Sequence, residues 1–383
     1  MNKFSRIIFC AAALAIAPDV LAKDFWVYFG TYTNALSRGI YVARLNADTG
    51  KISSPELAVE TPSPCWVAVS PDEKVIYAAN NVKTFKGENT GSISAFALDA
   101  ATGRLNFLNA KSSGGAGPCY VSVEASGRML LTANYGAGSV KSFRLETDGS
   151  IGADGTLIQH TGHSVNTNRQ AAPHAHFIAT DPGNRFALAC DLGLDRVLAY
   201  RLNPTNAALE MQFGCTQGEV PAGAGARHLA FSRNGKFIYV VNEMDCSVSQ
   251  LSWDAKNGLM ELQKTVSALP DGVKLQGSYT AAEILVHPSG KFLYVTLRGH
   301  DSVSVFDVNQ RNGRLKLVQN VPSGGKAPRG MGIDPTGRWL FTGNQKSDNA
   351  VQFAIEEKTG KLSPTGADLK IGSPVDVKFV AAP

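Results

Sequence analysis

Several kinds of chemistry have no template in this chain. It has no GxSxG elbow, no HExxH, no Walker loop and no GxGxxG after a strand, which argues against nucleophilic-serine, zinc-protease and nucleotide chemistry. Cysteine is scarce, 6 in 383 residues, and no CxxC pair offers a zinc site. Charge of one sign is also scarce. The formal net charge is +5, with no run of Lys and Arg interleaved with aromatics, so a nucleic-acid partner is not expected and only a mild preference for small anions follows. Long apolar runs are missing too. The longest at the N-terminus, Ile7 to Ala17, follows Lys3 and Arg6 and leads to Val20-Leu21-Ala22; it is well short of the about 20 residues needed to span a membrane. It is expected to be a cleaved secretory signal, residues 1–22, leaving an exported, periplasmic chain with no membrane contact. Without that segment Cys65, Cys119, Cys190, Cys215 and Cys246 remain. An odd number argues against a disulfide framework and leaves a single bridge open.

What the chain does have is glycine, 38 of them, and 44% hydrophobic residues, enough for a large core with many turns. Its pattern is a repeated hairpin. In Gly225 to Glu243, the apolar runs Leu229–Phe231 and Phe237–Val241 flank the turn Ser232 to Lys236. Equivalent turns occur at Ser70-Pro71-Asp72, Ala125-Ser126-Gly127, Asp181-Pro182-Gly183, His287-Pro288-Ser289 and Asp334-Pro335-Thr336, spaced by about 50 residues. A third strand with period-two alternation follows each hairpin, for example Ser302 to Phe306, then a glycine turn such as Asn312-Gly313-Arg314 and a fourth strand. Four short strands per repeat describe a propeller blade. Phe25 to Phe29 matches a second strand without a first, and Pro374 to Phe379 a first strand without a second. Pairing the two predicts an all-β, seven-bladed β-propeller of four antiparallel strands per blade, closed by its terminal strands, with 23–383 as one domain and no partner needed to cover an edge, hence a monomer.

Equivalent positions can then be compared around the ring. Six residues before each turn stand Cys65, Cys119, His176, Arg227, Ala282 and Arg329; nine and ten after it stand Asn80-Asn81, Asn134-Tyr135, Asp191-Leu192, Asn242-Glu243, Leu297-Arg298 and Asn344-Gln345. A hairpin returns to the end at which it began, so both sets share one mouth of the channel. Asn80, Asn134 and Asn344 are expected to satisfy turn amides, and His287 to be a turn residue. Blades four to seven instead supply His174, His176, Arg227, His228, Asn242, Glu243, Glu283, Arg298 and Arg329, a cluster suited to catalysis or anion binding.

Arg169-Gln170 before His174-Ala175-His176, Gly225-Ala226-Arg227-His228, Asn242-Glu243, Glu283 with His287-Pro288-Ser289-Gly290-Lys291, and Arg298-Gly299-His300-Asp301 resemble the seven-bladed propeller lactonases. That family includes one class of 6-phosphogluconolactonase and, more distantly, a fungal carboxymuconate cyclase. The resemblance covers the whole chain after the leader. It implies a metal-independent lactonase without cofactor, with His176, Arg227, Glu243 and Arg298 as the catalytic group. The substrate would be an anionic or sugar lactone contacted by His174, His228, Asn242, Glu283 and Arg329.

The residues themselves allow such a reaction. Opening a lactone takes a base to activate water, donors for the tetrahedral oxyanion and an acid for the leaving alkoxide. The expected assignment makes His176 the base, oriented by Glu243. Arg227 and Arg298 face the oxyanion, and Arg329 holds a phosphate or carboxylate on the substrate. Two alternatives stay open: a non-catalytic exported propeller that binds a ligand or protein, and a cycloisomerase of an unsaturated dicarboxylate.

Overall fold

The computed structural model describes residues 23–211 and 218–383; the expected leader, 1–22, and Cys215 lie outside the described residues. Every regular element among the described residues is a β-strand. They form seven antiparallel sheets of four strands, one of which gains the two-residue strand Gly218–Glu219. The innermost strands of blades 2 to 7 are Pro64–Val69, Pro118–Val123, Ala175–Thr180, Ala226–Phe231, Thr280–Val286 and Pro328–Ile333. Blade 1 is the split one. Its inner strand, Pro374–Ala382, pairs with Asp24–Thr31 from the other end of the chain, with Phe29 opposite Val377. This closure is reinforced sideways: the buried Asp376 carboxylate accepts the Val67 N–H of blade 2 at 2.8 Å and also pairs with Lys378.

Local chemistry explains why the hairpin recurs. At Ser70, Glu124, Asp181, Ser232 and Asp334 the residue opening the turn offers a side-chain oxygen to amides across it: Asp181 Oδ1 accepts the N–H of Arg185 and of Phe186 at 2.8 Å, and Asp334 Oδ1 those of Arg338 and Trp339. Apolar side chains of adjacent blades then pack face to face. Phe186 and Leu188 of blade 4, for instance, share a cluster with Ile238, Val240 and Trp253 of blade 5. Each fully buried side chain of this size contributes about 1.5–3 kcal/mol. Tyrosines on second strands tie four of the blade pairs radially: Tyr28, Tyr77, Tyr239 and Tyr294 donate to the carbonyls of Gly103, Gly149, Gly313 and Gly360 in the next blade's outer turn, at 2.7–2.9 Å. Glycine is required at such a turn. Gly360 has φ +67°, and an added Cβ would lie 2.3 Å from Phe292 Cγ.

One irregularity positions the site. In every innermost strand the register slips by one residue at the same place, leaving Cys65, Cys119, His176, Arg227 and Arg329 as the extra residue in five blades, Ala282-Glu283 across the slip in blade 6, and Val375 in blade 1. A β-bulge of this kind re-aims side chains that strict alternation would send to opposite faces.

Candidate active site

The bulges open onto a cavity of about 480 Å3 at one mouth of the channel, walled by Tyr32, Asn81, Cys119, Tyr135, Arg169, His176, Glu243, Thr280, Arg298 and Arg329. Its centre is the Glu243 carboxylate. Oε1 accepts Arg169 at 2.7 Å; Oε2 accepts Arg227 Nε at 3.1 Å and Arg298 at 3.0 Å. Burial alone would raise this carboxyl, yet Arg298 and Arg227 outweigh it and hold it well below the carboxylate range. Glu243 is therefore a fixed counter-charge and not a proton acceptor. Arg298 also donates to the Ala281 carbonyl at 2.9 Å, while its buried Nε has no hydrogen-bond partner among the described residues. Arg329 stands apart: no carboxylate of the described residues pairs with it, and its guanidinium lies over Tyr32, 5.7 Å from the ring centroid. The cavity thus gathers positive charge around one neutralising group, and a ligand oxygen would complete it.

His176 is 4% exposed and lies in the wall. Burial, and next the guanidinium of Arg227, hold it well below the usual imidazole range, so it is neutral at pH 7. Its orientation differs from expectation. Nδ1 meets His228 Nε2 at 3.2 Å, and no hydrogen bond joins His176 to Glu243. His228 in turn places Nδ1 3.1 and 3.2 Å from the two Glu283 oxygens. His228 and Glu283 are 1% and 3% exposed and form a layer beneath the cavity, not part of its wall, so direct substrate contact passes to other residues. The reason is the bulge: Arg227 and His228 are consecutive, and the slip turns both toward the channel at different depths. Arg227 likewise is 2% exposed, lies behind the wall and turns its donors to Glu243, the Ala282 carbonyl and, at 3.4 Å, His228 Nε2. Burial, then Arg329 and Arg298, bring it down to about 10, still charged at neutrality.

Two further expectations shift. Asn242 is fully buried and donates to Ser247 and Ser249 of its own blade, away from the cavity. His174 donates from Nδ1 to the Tyr135 carbonyl and stacks on the Tyr135 ring, a support behind the wall. Asn80, Asn134 and Asn344 donate to carbonyls of the segments entering their blades, and the Asn134 and Asn344 oxygens accept no hydrogen bond among the described residues, so they satisfy carbonyls and not the turn amides expected of them; His287 is a turn residue that bridges Ser289 and Gly337.

Arg169, Tyr32 and Tyr135 reach the cavity without having been singled out for a role. Arg169 comes from the irregular segment 160–174 between blades 3 and 4. Buried polar contacts fix that segment: His160 Nδ1 lies 2.6 Å from Asp191, its Nε2 meets Tyr200 OH at 2.8 Å, and Gln170 donates to the Leu192 carbonyl. Its place beside His174-Ala175-His176 in the chain was the available signal. Cys65, Cys119, Cys190 and Cys246 are all free and buried. Among the described residues no three His, Cys, Asp or Glu side chains converge as metal ligands.

A family model described as "Lactonase, 7-bladed beta-propeller" matches residues 26–379. The 6-phosphogluconolactonase of Bacillus subtilis is 34% identical over 353 residues, 92% of this chain and 97% of that protein. The 6-phosphogluconolactonase of Formosa agariphila is 30% identical, over 90% and 96% of the two chains. Among solved structures, the periplasmic gluconolactonase of Pseudomonas aeruginosa superposes with a TM-score of 0.86 at 29% identity, covering 94% of this chain and all of that one. Ring, closure and the match over nearly the full length agree: this chain belongs to the seven-bladed β-propeller lactonase family.

Proposed function

We propose that the chain is a lactone hydrolase whose reaction takes place in the Arg-rich mouth. The observation that carries this is the set of guanidiniums around one saturated carboxylate, with a neutral imidazole in the same wall. His176 Nε2 is left to face a ligand because Nδ1 is engaged by His228. It takes a proton from water as the hydroxyl oxygen bonds to the lactone carbon. The carbonyl oxygen becomes the oxyanion, stabilised by Arg298 and Arg169, which are preorganised by Glu243 and reorganise little. Collapse breaks the ring C–O bond, and the ring oxygen receives a proton to become the alcohol. Arg227 sustains the field from behind the wall and is not itself a donor to the oxyanion.

Arg329, the guanidinium without a carboxylate partner, is the anion-reading group, with Tyr32 beneath it. On this reading the Arg329→Met variant raises KM for 6-phosphogluconolactone roughly 10- to 100-fold, the loss of one charge-assisted hydrogen bond. KM for uncharged gluconolactone stays within about 2-fold. Equal effects on both lactones would remove Arg329 from substrate selection.

The second part of the proposal is export. It rests on the charged, then apolar, then small-residue pattern of 1–22 and on the likeness to the gluconolactonase of Pseudomonas aeruginosa, a periplasmic protein. Osmotic-shock fractionation should release a shortened protein lacking that segment. Full-length protein in the cytosolic fraction contradicts export.

A further inference from the structure

A hydrogen-bonded chain runs down from the cavity wall: His176 Nδ1 to His228 Nε2 at 3.2 Å, then His228 Nδ1 to Glu283 at 3.1 Å. One set of proton positions satisfies it when Glu283 is ionised. His228 Nδ1–H donates to the carboxylate, His176 Nδ1–H donates to His228 Nε2, and His176 Nε2 keeps its lone pair. Neither imidazole is a good place to leave a proton. Both are buried, and Arg227 comes within 3.4 Å of His228 Nε2, so an imidazolium here would be held beside a guanidinium, whereas Glu283, in contact with His228 Nδ1, becomes neutral on taking the proton. Glu283 is the acceptor at the end of the line. It also borders a second cavity of about 400 Å3 at the opposite end of the channel, so it can exchange protons with solvent when the mouth is full.

We propose that Glu283, acting through His228, stores the proton that His176 takes from water and returns it to the leaving ring oxygen. This rests on the lactonase reading above. In the forward step the water proton bonds to His176 Nε2, the Nδ1 proton moves to His228 Nε2, and the His228 Nδ1 proton moves to a Glu283 oxygen. The tetrahedral intermediate then carries the negative charge beside Arg298 and Arg169, and the stored proton is on a neutral carboxylic acid. When the ring C–O bond breaks, the same protons move back and the ring oxygen takes the one on His176 Nε2. Both histidines return to their starting tautomers, and no charge or proton is left over. His228 and Glu283 are positioning residues in this scheme, since neither touches substrate.

The charged and titratable groups facing Glu283 are Arg227 and His228 from one neighbouring strand, Arg329 from another, Asp376 and Lys378 from the closing strand, and Tyr120 across the channel. Burial pushes Glu283 up to about 7, against the pull of Arg227 and Lys378. Only the ionised form can accept, so kcat should rise with pH through about 7.

The test is Glu283→Gln, which keeps the shape and an oxygen for His228 Nδ1–H but cannot store a proton. It leaves a neutral group where the native chain must bury a charge above about pH 7, so folding should be retained, checked by thermal unfolding. A purely positional role predicts near-normal kcat in this variant. The relay predicts a loss of roughly 100-fold or more in kcat, little change in KM, and disappearance of the rise through neutrality. Glu283→Gln with the native rate and pH profile overturns the relay. A readout free of activity separates the two proposals: ring 15N shifts of His176 and His228, followed from about pH 5 to 9. The relay expects both rings to stay neutral and to report one shared transition near 7, absent in Glu283→Gln. Independent titration of His176 overturns it. If the shared transition is present and no lactone is opened, the lactonase reading fails and the proton link stands.

Discussion

Glu243→Ala should be the most damaging single substitution in the mouth, costing about 3–5 kcal/mol of stability and essentially all activity. Arg169, Arg227 and Arg298 all converge on the Glu243 carboxylate, whose side chain is 7% exposed while that of Arg227 is 3%. Removing it leaves guanidiniums buried and facing one another, the case in which breaking a buried pair costs far more than forming it returned. The strain falls first on Arg227, already depressed by burial and by Arg329 and Arg298, since Glu243 is among the groups that support its charge. Glu243→Gln restores volume and one acceptor but not the charge, so its loss should be intermediate. Denaturant midpoints for the three proteins check the order. An alanine variant as stable as the parent means that the arginines do not depend on Glu243, and the preorganised field falls with that result.

His176→Asn should leave the fold intact and lower kcat by about 100- to 10,000-fold. The substitution is chosen for geometry. The asparagine amide occupies the region of the imidazole Nδ1, so its N–H can still donate to His228 Nε2, while the Nε2 lone pair that faces the cavity is lost. The layer beneath therefore keeps its contact and only the base is removed. His176→Gln does the reverse, placing an amide near the Nε2 position with no basic nitrogen, and should be equally slow. Steady-state kinetics with the spontaneous rate subtracted distinguish this from a binding defect, because KM should change little. Native kcat in either variant assigns the base elsewhere.

Much of this architecture was readable because the repeated turns carry their own chemistry. Asp181 and Asp334 dictate the hairpin through their side-chain oxygens wherever they occur, so aligned turns give aligned strands and the split first blade follows from its two complementary halves. Residues at equivalent positions then point to one mouth, which is why His176, Glu243, Arg298 and Arg329 could be grouped from the chain alone. Depth was not readable. A strand pattern has period two, and the bulge that turns Arg227 and His228 together leaves no mark in composition. Hence His228, Glu283 and Arg227 were expected in the wall and lie behind or below it. Asn242 shows a second limit: its serine partners in its own blade are as near in sequence as any ligand would be in space. Arg169 shows a third, since a residue in an irregular segment takes its place from distant contacts such as Asp191 with His160.

The central claim is that this mouth opens a lactone with water. It is tested most directly by incubating the protein with 6-phosphogluconolactone and, separately, gluconolactone in 18O-water, beside His176→Asn, and following both the rate above spontaneous opening and the label in the acid. The account predicts acceleration of at least one lactone, one labelled oxygen in the product carboxylate, and loss of the acceleration in the variant. A rate equal to the spontaneous one for both lactones, or a His176→Asn protein as fast as the parent, contradicts it.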